Sequence, residues 1–201
     1  MNWSDKTIQT YDKSAKALAQ YFKGIGPRLA DIKRGLELAE MKSNARVVEI
    51  GCGDGRDALE ITKRVAWYQG FDPSKGLLKI AQATAPEASF VLADALTYHY
   101  PQNLDVVYAF ASLLHVNKND LRLICQQVAK ALRPKGIFYI SLKERDTYSF
   151  EVKKDSHGER MFYYYNLKLV QDIAGTNFVK VYGSTQTIGS TRWFTVALKK
   201  L

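Results

Sequence analysis

Three glycines at alternate positions, Gly51, Gly53 and Gly55, follow the carboxylate Glu49 and enclose a second one, Asp54. Glycines in a strand-to-helix turn remove every Cβ that would hold a ligand off the backbone, and they permit positive φ. The preceding Val47, Val48 and Ile50 read as a buried parallel strand. VVEIGCGDG (47–55) is therefore a strand running into a ligand-binding turn, and a nucleotide-like ligand is expected. Dinucleotide sites use G-x-G-x-x-G to bring a helix N-terminus up to a pyrophosphate. Here the spacing is G-x-G-x-G, and two carboxylates would repel a pyrophosphate. They suit a ligand that carries positive charge.

Further acids extend the constellation. Asp72 closes the next apolar run, roughly 20 positions after Gly51, where a strand-end carboxylate can take both hydroxyls of a ribose. The alternative is a helix N-cap, a role that Ser74 after Pro73 fills better. Asp94, in FVLADAL (90–96), also follows a strand and can accept a hydrogen bond from an exocyclic amine such as adenine's, or serve only as a turn residue. His115 lies five residues past a later strand, on the substrate side of the sheet, and a neutral imidazole there can act as general base. Flanked by Leu114 and Val116, it can equally be a packed histidine. His99 and His157 are weaker candidates.

These residues need a scaffold of alternating strands and helices. Strands are expected over 46–50, 66–71, 89–92, 105–110 and 136–142, the last preceded by a turn at 133–135, and helices over 56–65, 74–84 and 117–132. Before them, apolar steps of three and four residues place one helix over much of 4–22, and a second reaches Lys42 after the breakers Gly24, Gly26 and Pro27. After them come a polar, aromatic stretch over 143–165, a helix over 166–174, and β-rich runs over 178–183 and 192–198. Only about eight residues separate those two runs, too few for a crossover helix, so they should pair antiparallel. The expectation is an α/β fold, Rossmann-like and doubly wound. Its seven-stranded, mostly parallel sheet has an antiparallel last strand and helices on both faces.

Composition bounds the partners. At 201 residues and 46% hydrophobic, one core and one domain over 1–201 are expected. Residues 1–23 are interrupted by charges and no long apolar run occurs, so neither a signal peptide nor a membrane span is expected and a cytoplasmic protein is. Cys52 and Cys125 lack metal or redox spacing, no metal site is expected, and both are read as free thiols. The net charge of +9 raises nucleic acid as a partner, but the basic residues are mixed with acids, as in KKDSHGER (153–160). A small-molecule partner is favoured over RNA, and a monomer or homodimer is expected.

Together the motifs resemble the class I S-adenosylmethionine-dependent methyltransferases over most of the chain, 45–201. VVEIGCGDG resembles the family's E-x-G-x-G-x-G motif, GFDPS (70–74) its second-strand acidic motif, and ADAL (93–96) its adenine-contacting segment. LDVVYAFASLLHV (104–116) and LRPKGIFYIS (132–141) resemble its fourth and fifth strand regions. The resemblance implies that S-adenosylmethionine is the methyl donor and S-adenosylhomocysteine the product. Glu49 with the backbone of Gly51, Cys52 and Gly53 would then face the methionine end. Asp72 beside Pro73 would hold the ribose, Asp94 with Ala95 the adenine, and Phe110 and Ala111 would flank the transferring methyl.

The N-terminal helices (1–44), with Tyr11, would cap the cofactor, although Tyr11 can equally be a core aromatic. The 143–165 segment is read as a substrate-covering loop in which Tyr148, Arg160 and Tyr164 join His115 at the acceptor, or as aromatics plugging the sheet edge. GERMFYYY (158–165) also resembles a loop of small-molecule members carrying G-R-x-F-x-x-Y. An N-P-P-Y-like string is absent after the fourth strand, where AFAS (109–112) stands, and neither cysteine is placed for cytosine C5 chemistry. The expected activity is methyl transfer, by in-line displacement, to an oxygen or nitrogen of a small molecule. RNA methylation and a non-catalytic cofactor-binding module are the alternatives.

Overall fold

A computed structural model describes residues 3–41 and 43–201. Its frame is a seven-stranded sheet in the order β3-β2-β1-β4-β5-β9-β8. The first five strands are β1 (Arg46–Ile50), β2 (Trp67–Asp72), β3 (Ser89–Leu92), β4 (Leu104–Phe110) and β5 (Leu132–Lys143), all mutually parallel. The last two, β8 (Phe178–Ile188) and β9 (Thr191–Lys200), pair antiparallel, and β9 runs antiparallel to β5. The expected fold class, with its antiparallel final strand, is the one observed.

The side-chain period of two along each strand divides the core between two faces. All seven residues of β4 are buried. Val107 and Ala109 pack with Val48, Ile50, Phe138 and Ile140 under α6 (Lys118–Ala131) and α7 (Leu167–Ala174). Val106, Tyr108 and Phe110 pack with Val47, Ile137 and Tyr139 under α3 (Leu29–Leu38) and α4 (Arg56–Thr62). Burial on both faces explains why β4 reads as a continuous apolar run from Val106 and β1 as one interrupted only by Glu49.

Helix starts follow the side chains available to cap them. Ser74 Oγ accepts from Leu77 N at the start of α5 (Lys75–Thr84), Asn117 accepts from Asn119 N and Asp120 N before α6, and Asn166 from Leu169 N before α7. Each such cap contributes about 1 kcal/mol.

Several expectations need correction. The single helix over 4–22 is two, α1 (Trp3–Lys13) and α2 (Ala15–Ile25). The break at Ser14 lets its hydroxyl donate to His157 O, 143 positions away. The next helix ends at Leu38, because Glu40 at φ +58 lets Met41 N bond back to Leu36 O. Lys42 lies outside the described residues. The helix over 56–65 stops at Thr62, and β2 is shifted to take in Asp72. Residues 133–135 form no separate turn, since β5 pairs with β4 from Leu132 and carries an irregularity there with Lys135 at φ +64.

The largest correction concerns 143–165, which is not a loop. It contains a hairpin of β6 (Ser149–Asp155) and β7 (Gly158–Tyr164), turned at Gly158 with φ +120. The charged run Lys153, Lys154, Asp155 hides the strand pattern, which the cross-strand partners Arg160, Glu159 and Gly158 complete. Likewise β8 and β9 extend beyond their apolar cores until only Gly189 and Ser190 lie between them.

Candidate active site

The turn after β1 holds Gly51, Gly53 and Gly55 at φ +67, +56 and +78. A Cβ on Gly51 would come 2.4 Å from Ser112 Cβ, and one on Gly55 would come 2.9 Å from Ala81 Cα. A Cβ on Gly53 would meet nothing within 4 Å among the described residues. The outer glycines serve internal packing, and the middle one leaves the surface open.

The turn is fixed from β2. Gly51 N and Cys52 N both donate to Phe71 O, and Gly53 N donates to Asp72 Oδ2 at 3.0 Å. Asp72 Oδ1 takes Ser74 N at 2.9 Å. Burial pushes the Asp72 carboxyl up to about 6, against the pull of these two amides. Each oxygen still has a lone pair to offer, since a carboxylate accepts about four hydrogen bonds. Pro73 separates Asp72 from Ser74, which is the N-cap of α5. Asp94 Oδ1 accepts from Leu96 N, the turn chemistry weighed above, and Ala95 beside it is buried.

Glu49 is 2% exposed and accepts from the Tyr68 hydroxyl at 2.6 Å. Burial, and then the nearby Asp57, raise its carboxyl to about 8. Burial likewise pushes the Cys52 thiol well above its usual range. Phe110 at the end of β4 stacks on Tyr108 with centroids 4.9 Å apart, while Ala111 adopts φ +52 and bonds Ser141 O. Ser112, which the residue pattern did not single out, follows Ala111 and presses on Gly51. Its Oγ is buried and has no hydrogen-bond partner among the described residues.

Helix α1 lies against the hairpin and α5. Asp12 Oδ1 accepts from Ser74 Oγ at 3.2 Å and Gly76 N at 2.6 Å. Thr10 Oγ1 donates to Glu159 O, and Thr7 Oγ1 accepts from Met161 N. This seating brings Tyr11 Oη to 2.8 Å from His115 Nε2. The other ring nitrogen, Nδ1, lies 2.6 Å from Met161 O. A carbonyl only accepts, so Nδ1 carries the proton and Nε2 accepts from Tyr11. Burial lowers His115 to about 3, helped by the cations Arg160 and Lys143, and it raises Tyr11 above its usual range.

Arg160 reaches the same place. It is 8% exposed, lies 5.3 Å over the Tyr11 ring and 5.5 Å over that of Phe162, and pairs with Asp155. The other two hairpin candidates are engaged elsewhere. Tyr148 packs against Tyr163 and Tyr165 and accepts from Lys118 N at the start of α6. Tyr164 donates to Glu151 under the Arg145 guanidinium and lines a cavity of about 440 Å³ with Glu144, Lys153 and Arg192. His99 is exposed, and His157 sits in the hairpin turn.

A family model described as a methyltransferase domain matches residues 47–136. The chain is 26% identical over 139 residues to the ubiquinone/menaquinone biosynthesis C-methyltransferase UbiE of Campylobacter jejuni, a match covering 65% of this chain and 57% of that one. It thus spans less than two thirds of that relative's length. It is 23% identical over 207 residues to an uncharacterised methyltransferase of Bacillus licheniformis, covering 99% of this chain and 89% of the other. A solved S-adenosylmethionine-dependent methyltransferase from Leishmania major superposes with a TM-score of 0.76 at 17% identity, over 98% of this chain and 83% of its own. At that identity the likeness is one of fold. No helix among the described residues is long and apolar enough to cross a membrane.

Proposed function

Because the chain belongs to the class I S-adenosylmethionine-dependent methyltransferase family, we propose that it transfers a methyl group from S-adenosylmethionine to an oxygen or nitrogen of a small-molecule acceptor. One observation carries the reading. Asp72 clamps the Gly53 amide while, among the described residues, nothing comes within 4 Å of a Cβ on Gly53 and Ser112 Oγ lies buried and unpartnered beside Gly51. This is a cradle for a ligand with hydroxyls and a polar, cationic end, and the residues fit that cofactor.

Asp72 beside Pro73 holds the ribose hydroxyls with its remaining lone pairs, and Asp94 with Ala95 takes the adenine. The backbone of Gly51, Cys52 and Gly53, with Glu49 below it, faces the methionine end. Glu49 ionises when a cation arrives, since an opposite charge offsets the burial that otherwise keeps it protonated. Phe110 and Ala111 border the reacting centre, and α1 with Tyr11 closes over it. The bound cofactor supplies an electrophilic methyl on a sulfonium.

The chain's remaining tasks are alignment and proton removal. Alignment of two bound reactants is worth up to about 7–11 kcal/mol. In this proposal the acceptor would lie against Tyr11 Oη, whose own proton is committed to His115 Nε2. As the acceptor yields a proton to Tyr11 Oη, the Tyr11 proton passes to Nε2, so His115 is the general base acting through Tyr11. Burial keeps Nε2 unprotonated at neutral pH, and the same lowering, to about 3, makes it a weak base until a neighbouring negative charge raises it.

Calorimetric titration with S-adenosylhomocysteine tests the donor site. Micromolar binding by the wild-type chain, lost in Asp72→Ala and partly kept in Asp72→Asn, is the expected result. No binding by the folded wild-type protein defeats the proposal.

A further inference from the structure

Around the Phe162 ring the structure gathers more positive charge than it neutralises. Lys143, the last residue of β5, places its ammonium 3.9 Å from the Phe162 centroid and 5.7 Å from that of Trp193. Among the described residues no ion pair or side-chain hydrogen bond reaches this half-buried ammonium. The guanidinium of Arg160 lies 5.5 Å from the same ring, its side chain 10% exposed and its Nε buried without a partner among the described residues. His115 touches the ring as well, with centroids 4.8 Å apart.

The surrounding charges do not balance. Lys153 stands opposite Arg160 across the hairpin, where like charges repel. Arg145 and Lys153 share Glu151, and Arg160 has Asp155. Glu144 and Asp146 are taken by Arg192. Five cations, Lys143, Arg145, Lys153, Arg160 and Arg192, therefore face four carboxylates, and Lys143 is the one left without an ion pair among the described residues. Burial and the repulsion of Lys153 and Arg160 lower Lys143 to about 8, and Glu151 and Asp155 offset only part of this.

We propose that the methyl acceptor carries an oxyanion, a phosphate or a carboxylate, held between Lys143 Nζ and the Arg160 guanidinium, with its nucleophile turned toward Tyr11. The nucleophile's place rests on the methyl-transfer reading above, whereas the anion site rests on the cation cluster itself. A bound anion supplies the missing counter-charge, uses the orphaned Nε, and eases the charging of His115 that Arg160 and Lys143 otherwise oppose. The rings of Phe162 and Trp193 flank the Lys143 ammonium, and an apolar flank strengthens a charge pair relative to open water.

The test is calorimetry of the full chain with inorganic phosphate and, separately, with sodium acetate, each with and without S-adenosylhomocysteine. One of the two anions should bind, and which one binds tells phosphate from carboxylate. Lys143→Met should weaken binding about tenfold, the worth of one charge-assisted hydrogen bond, and Lys143→Arg should restore it with an unchanged melting temperature. Binding of neither anion, or binding untouched by Lys143→Met, overturns the proposal. Anion binding that persists when S-adenosylhomocysteine fails to bind supports the anion site while the methyl-transfer reading falls.

Discussion

The hydroxyl of Tyr11 donates to His115 Nε2 at 2.8 Å although 104 positions separate the two residues. The bond exists because α1 is tied to the β6–β7 hairpin, and because Met161 O holds the opposite ring nitrogen. The imidazole is thus fixed in one tautomer with its basic nitrogen facing Tyr11.

Nitrogen-15 NMR should therefore find His115 neutral, protonated at Nδ1, and silent between pH 5 and 8. Tyr11→Phe should leave that tautomer in place and shift the Nε2 resonance. Once an acceptor is found, the same variant should slow methyl transfer about 10²–10³-fold, within the range of general-base effects. An imidazole titrating near its ordinary value of 6.5 in the folded protein contradicts the assignment.

Gly51→Ala and Gly53→Ala should separate stability from binding. The new methyl at Gly51 meets Ser112 Cβ at 2.4 Å on a backbone with φ +67, so a loss of about 3 kcal/mol or more is expected in urea denaturation. At Gly53 only the φ +56 backbone resists, at about 1–2 kcal/mol, and the methyl stands where the cofactor would lie. Gly53→Ala should fold and lose most S-adenosylhomocysteine affinity. Equal affinity in the wild-type and Gly53→Ala proteins would refute the cradle.

Stability should fall as the pH rises from 6.5 to 8. The raised carboxyl of Glu49 keeps its proton in the folded state up to about 8, whereas the unfolded carboxyl loses it near 4.5. Its contribution is complete below 4.5 and disappears as the pH climbs through 8. His115, lowered to about 3 from 6.5, acts oppositely, and its contribution is present above 6.5 and lost as the pH drops toward 3. Asp72, raised to about 6, follows the sign of Glu49 but finishes lower. Between 6.5 and 8 Glu49 dominates, with a slope on the order of 1 kcal/mol per pH unit. Urea midpoints across this window should decline in the wild-type protein and stay level in Glu49→Gln.

Much of the frame was legible in advance, for local reasons. The strands β1 and β4 are rich in apolar residues because both of their faces are buried, and the caps Ser74, Asn117 and Asn166 declare their helices. The hairpin of 149–164 escaped because its strand pattern is completed across the turn and masked by charge within each strand. Ser14 escaped because the carbonyl that its hydroxyl meets at the break lies 143 positions away. Ser112 carried no signal at all. Its importance lies in a contact with Gly51 that only the β1–β4 pairing creates.

By itself, then, the sequence determined the glycine turn, the acids at the strand ends and the order of strands and helices, since each depends on neighbours within a few residues or on the strand period. Tertiary structure alone decided that Tyr11 meets His115, that His115 keeps its proton on Nδ1, and that Lys143 and Arg160 share the ring of Phe162. Those relationships depend on packing an N-terminal helix and a hairpin over the sheet, and on the burial that follows. Burial sets which groups are charged, and no local pattern of residues encodes it.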